Sequence, residues 1–228
     1  MYLNPLGLEF VAQLARRFGV AAIVDTGELT SFGLPIEARI GSELTAMPVP
    51  YYLVPGNHDS PEVREGLSSV PNVTVLDREI VAIGGVRILG VADPTFTADN
   101  RTSAAEAAAV KTREAPAVAR LAREQRADVL AVHDPLLAAD AAGSVPLVIQ
   151  GHRHKRESSV RQGTRFLSVG TTRASGLGAF TVSSDLRYEA EVLYFDGGRL
   201  VAVDYVSLAG VKGNFRIDRA VIPPPSTP

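Results

Sequence analysis

The sequence predicts an α/β fold of layered sheets and helices, and three observations predict it. Short apolar runs suited to buried strands alternate with stretches of helical periodicity along the chain. Several of these runs end in polar residues able to do chemistry, as strands of open α/β sheets do at their carboxyl ends. The 228 residues, 46% hydrophobic and 21% charged, suffice for one sizeable core, so one main domain is the default.

Each element follows in order. Pro5 to Phe18 places Leu8, Val11, Ala12, Ala15 and Phe18 on one helical face. Val20 to Val24 is a short apolar run, predicted as a buried strand. A helix begins near Pro35, because proline at the first turn loses no hydrogen bond. Tyr51 to Val54 and Val73 to Leu76 are further strands. Ile80 to Ile83 and Val86 to Val91 flank Gly84-Gly85, a hairpin signal. Ser103 to Arg126 is helical, with an interruption predicted around Pro116. Strands follow at Val129 to Val132, Leu147 to Ile149, Arg165 to Val169, Phe180 to Val182, Glu189 to Phe195 and Leu200 to Ser207. Asp196-Gly197-Gly198 is the turn before the last of these. The main domain is placed at 1–208, with 209–228 a partly disordered C-terminal extension whose end, Pro223 to Pro228, is Pro-rich.

Composition excludes some functions. A net charge of -2 gives no bulk attraction to nucleic acid, and no stable nucleic-acid binding is expected. Cysteine is absent, so any metal must be held by His, Asn and carboxylates. No apolar run reaches the roughly 18 residues of a membrane span, and the first residues do not resemble a signal peptide.

Four apolar runs deliver polar residues: Val24-Asp25-Thr26-Gly27-Glu28, Pro55-Gly56-Asn57-His58-Asp59, Val132-His133 and Ile149-Gln150-Gly151-His152-Arg153-His154. All four histidines of the chain lie in them. In extended backbone, positions two apart point the same way, so His152 and His154 are predicted to face one site. A basic surface loop is the competing explanation, given Arg153, Lys155 and Arg156. The Asn57 amide oxygen suits a metal ion, and His58 beside Asp59 suits general-acid work. A Pro-Gly-Asn turn capped by Asp59 accounts for Gly56 and Asn57 without function, but not for His58. His133 alone would be weak; the joint pattern gives it weight. Gly170-Thr171-Thr172 is a structural turn in preference to a substrate contact.

In this order the residues resemble the calcineurin-like metallophosphoesterases, whose pattern runs D-x-H, G-D, G-N-H-D/E, a lone His, then G-H-x-H. The last three elements match Gly56 to Asp59, His133 and Gly151 to His154, and the resemblance spans Asn4 to about Tyr205. It implies a four-layer αββα sandwich with two mixed β-sheets and a two-metal centre between sheet edges. By that resemblance Asn57, His133 and His152 bind one metal, His154 helps bind the other, and Glu28 supplies the shared carboxylate where the family has Asp. His58, with Asp59, contacts the phosphate and assists the leaving group. Two ions about 3.5–4 Å apart polarise the phosphoryl group and activate water.

The D-x-H element is missing, since Tyr2 falls at its His position and Leu3-Asn4-Pro5 follows at once. The first strand, beside Val20 to Val24, is therefore expected to be absent, through either a truncated start or divergence. The predicted function is hydrolysis of phosphate mono- or diesters by a metal-activated water, impaired by truncation and by Glu28. The alternative is an inactive relative that binds one metal or a phosphorylated ligand. The cofactor is divalent Mn, Fe or Zn, two ions in the family and one here. The partner is a phosphorylated small molecule or nucleotide. The location is cytoplasmic, or membrane-attached through a missing N-terminal segment.

Overall fold

The computed structural model describes residues 5–172, 187–209 and 213–224. The expected strand at Phe180 to Val182 and the register at Tyr2 lie outside these residues.

The first half builds a parallel three-stranded sheet. Helix α1 (Pro5–Phe18) leads into β1 (Ile23–Asp25). A 3-10 turn at Pro35–Ile40 and helix α2 (Gly41–Thr45) follow, with the proline in the first turn as predicted. Then come β2 (Tyr51–Leu53), helix α3 (Pro61–Ser68) and β3 (Val73–Val75). The order is β1-β2-β3, and among the described residues β1 pairs with β2 alone. Leu8, Leu29, Leu44, Tyr51, Leu53 and Leu67 form one core between this sheet and its helices.

A mixed six-stranded sheet carries the second half. β4 (Glu79–Ile83) and β5 (Val86–Val91) form the expected hairpin, with positive φ at Gly84 and Gly85. Helix α4 (Ala104–Glu124) precedes β6 (Val129–Val132), β7 (Leu147–Gln150), β8 (Glu157–Arg161) and β9 (Thr164–Ser168). The order is β4-β5-β6-β7-β9-β8, with β5, β6, β7 and β9 parallel. The predicted break at Pro116 does not occur, and α4 runs through it. Pro116 is exposed, so the carbonyl that loses its partner faces water. Lys111, Ala115, Val118, Ala119 and Ala122 form the buried face of the helix, and Val118 and Ala122 pack into the core with residues of the six-stranded sheet, which holds the helix together through the proline. β8 escaped prediction because its sequence, Glu-Ser-Ser-Val-Arg, is exposed throughout and carries no apolar run.

β10 (Arg187–Asp196), β11 (Arg199–Ala209) and β12 (Asn214–Val221) form an antiparallel sheet. Among the described residues the strands therefore distribute over three sheets, where two were expected. Asn214–Val221, inside the segment expected as an extension, is a full strand hydrogen-bonded to β11. Val54, Leu76, Ile88, Val129, Ile149, Leu167 and Val203 form the core between the sheets. No described helix is long and apolar enough to cross a membrane.

Candidate metal centre

Parallel strands end together, and that brings the four polar segments to one place. β1 ends at Asp25, β2 shortly before Gly56, β6 at Val132 and β7 at Gln150. The loops then need close backbone approach. A Cβ on Gly27 would lie 2.5 Å from the Gly56 nitrogen, and one on Gly56 would lie 2.9 Å from His133 Nδ1. Glycine at both positions allows the β1 and β2 loops to touch beneath His133.

The buried Glu28 carboxylate is the hub. Its Oε2 lies 2.6 Å from His154 Nε2, and its Oε1 lies 3.6 Å from His133 Nε2 and 3.8 Å from His152 Nδ1. His133 Nε2 and His152 Nδ1 are 3.2 Å apart, with their rings edge to face. Ligand atoms of Glu28, His133 and His152 all fall within 4.8 Å of one another, close enough to hold one ion. His133 Nδ1 donates to the Thr26 carbonyl at 2.7 Å, which leaves Nε2 aimed at the cluster. Asn57 is buried; its Nδ2 donates to Thr97 Oγ1, while its Oδ1 has no hydrogen-bond partner. A buried amide oxygen without a donor is costly unless it meets a cation.

Electrostatics follow from this packing. Burial pushes the Glu28 carboxyl up, but the imidazoles of His133, His152 and His154 more than offset that and hold it far below the usual carboxylate range. Burial disfavours a charged His133, yet the neighbouring Glu28 carboxylate outweighs it and raises its pKa.

The backbone is strained here. Glu28, His152 and His154, none of them glycine, have φ of 61°, 66° and 53°. Such conformations cost energy and concentrate at functional sites. They also correct the sequence argument for His152 and His154. The segment is not uniformly extended, and the two imidazoles meet Glu28 from two left-handed residues separated by Arg153.

His58 lies on the neighbouring loop, with Nδ1 donating to the Ser31 carbonyl at 2.7 Å. The Asp59 carboxylate, fully buried, accepts from the backbone nitrogens of Glu28, Thr30 and Gly56 and from the Thr30 hydroxyl. It thereby ties the β1 and β2 loops together and fixes the backbone of Glu28.

Sequence reasoning passed over three buried charges. Lys111 Nζ on α4 sits 2.9 Å from Asp93 and 2.7 Å from Asp134, and Asp134 lies 3.7 Å from His152 Nε2. Burial raises the Asp134 carboxyl, but the Leu136 amide and Lys111 lower it further. The available signal was a lysine on the apolar face of α4 in a chain otherwise rich in arginine.

Among curated proteins none matches the sequence. Among solved structures, a Vps29 mutant from Entamoeba histolytica is similar at 16% identity, over 89% of this chain and 99% of that one, with a TM-score of 0.38. An archaeal phosphodiesterase is similar at 12% identity, over 95% and 92%, with a TM-score of 0.44. A phosphopantetheinyl hydrolase from Mycobacterium tuberculosis is similar at 17% identity, over 65% and 79%, with a TM-score of 0.40. The family model of the calcineurin-like phosphoesterases matches residues 7–156, which include β1, β2, β6, β7 and every residue of the Glu28 cluster. The chain belongs to the calcineurin-like phosphoesterase family.

Proposed function

We propose that the chain is a metal-dependent phosphoesterase whose metal site is built from Glu28, Asn57, His133 and His152, with His154 alongside. The convergence of Glu28, His133 and His152 within 4.8 Å carries this reading, and the partnerless Asn57 Oδ1 supports it. The donor set of imidazole, carboxylate and amide oxygen fits Mn, Fe or Zn. A divalent ion held by these residues would supply Lewis acidity toward a phosphoryl group and would make water a better nucleophile near neutral pH.

The protein's own residues do the rest. Thr26 fixes the proton of His133 on Nδ1, so Nε2 keeps its lone pair for a ligand. Asp59 holds the Glu28 and Gly56 amides in place. His58 keeps one proton on Nδ1 for Ser31, so a second proton, on Nε2, is the one available to a leaving oxygen. The substrate class is a phosphorylated small molecule or nucleotide.

A second reading has an observation behind it. The single group of three close ligands among the described residues has one carboxylate, Glu28, which favours one ion and weak or absent turnover. Metal content by mass spectrometry, with hydrolysis of a chromogenic phosphodiester in added Mn, separates the two. Metal with turnover supports the enzyme, metal without turnover supports a binding protein, and no metal rejects both.

A further inference from the structure

Four strand ends supply the metal centre, and a fifth reaches it. β5 runs parallel to β6 in the same sheet, so the segment that follows it, Asp93 to Thr97, leaves at the same rim. The segment carries no histidine. It is anchored at its start. The Asp93 amide donates to the Pro55 carbonyl at 2.9 Å, and the Asp93 carbonyl accepts from Arg64 Nη2 at 3.0 Å. The Asp93 carboxylate accepts from the Thr95 amide and hydroxyl and pairs with Lys111 at 2.9 Å. Thr97, at the far end, meets Asn57 twice. Its amide donates to the Asn57 carbonyl at 2.9 Å, and its hydroxyl accepts from Asn57 Nδ2 at 2.6 Å. Asn57 Oδ1 is left buried and without a partner.

We infer that Thr97 is a positioning residue of the metal centre, whose hydroxyl holds the Asn57 side chain with its amide oxygen free for the ion. This inference rests on the metal site proposed above. A side-chain amide carries an acceptor at one end and two donors at the other. Only the oxygen can ligate a cation, and the reversed amide would present N–H groups to it. Asn57 is 6% exposed, so its nitrogen cannot fall back on bulk water while its oxygen serves an ion. Thr97 Oγ1 is the acceptor that the fold gives that nitrogen. Without it, metal binding leaves a buried donor unmet, which is costly. The backbone bonds of Thr97 and Asp93 do not involve the hydroxyl, so the segment stays docked when the hydroxyl is removed.

The test is calorimetric titration of the metal-free whole chain with Zn²⁺, on the parent, Thr97→Ser and Thr97→Val. Thr97→Val keeps the branched shape and removes the hydroxyl, whereas Thr97→Ser keeps the hydroxyl. Thr97 is half-buried, and Thr97→Ala is measured beside Thr97→Val so that a packing fault in one leaves the other to decide. Zinc affinity is expected to fall about tenfold or more in Thr97→Val and Thr97→Ala, and to stay near the parent's in Thr97→Ser. In an Asn57→Ala background no amide remains to be held, so adding Thr97→Val is expected to change affinity by less than about twofold. A parent that binds zinc with Thr97→Val and Thr97→Ala undiminished overturns this inference alone. So does failure of Thr97→Ser to retain affinity, or an equal loss in the Asn57→Ala background, either of which marks a role in loop packing only. A parent that binds no zinc overturns the inference together with the metal site on which it rests.

Discussion

Glu28 Oε2 and His154 Nε2 lie 2.6 Å apart, while the other oxygen of the same carboxylate faces His133 and His152. One buried anion thus organises three imidazoles from two different loops. Removing its charge in Glu28→Gln should weaken Mn or Zn binding by about 10–100-fold or more. Titration of the metal-free variant against the parent chain measures this, and an unchanged affinity would remove Glu28 from the site.

The same pairing makes the metal-free protein sensitive to pH. The pKa of His133 is raised in the fold, above an unfolded value of about 6.5. Its contribution to stability is complete below that value and is lost as pH rises through the folded value. With chelator present, the thermal midpoint should therefore fall as pH is raised from about 6 upward. His133→Gln should flatten that slope. A midpoint that rises over the same range contradicts the assignment.

Asp59 serves the architecture of the site. Its carboxylate gathers three amides and a hydroxyl from both loops. Asp59→Ala should cost about 3 kcal/mol or more of unfolding free energy, since buried donors lose a charged acceptor. Denaturant unfolding checks the figure, and a loss within error of zero would mean that water replaces the carboxylate.

Lys111 neutralises two buried carboxylates behind His152. Lys111→Met leaves Asp93 and Asp134 facing each other, and should cost about 3–5 kcal/mol. The double variant with Asp93→Asn should recover part of that loss. A double-mutant cycle reads the coupling directly, and strict additivity would argue against the network.

Much of this was legible in the sequence, for physical reasons. Apolar runs such as Leu147 to Ile149 announce parallel strands because such strands are buried on both faces. Those strands carry His133 and His152 to one rim, where His154 joins them at Glu28, so three of the four histidines that the sequence placed in strand-end segments come together. What the sequence hid were long-range choices. The exposed β8 has no apolar signature, and Pro116 was overruled by the buried face of α4. The left-handed backbone at Glu28, His152 and His154 is strain maintained by tertiary contacts, so no local propensity predicts it. Asp134 and Lys111 met across separate elements, and neither belongs to a recognisable motif.

The most direct test of the central claim is calorimetric titration of metal-free protein with Mn²⁺, run in parallel on the parent chain and on His152→Ala. The account predicts saturable binding of one ion per chain in the parent and its loss in the variant. Absence of binding in the parent, or binding undiminished in His152→Ala, would contradict it.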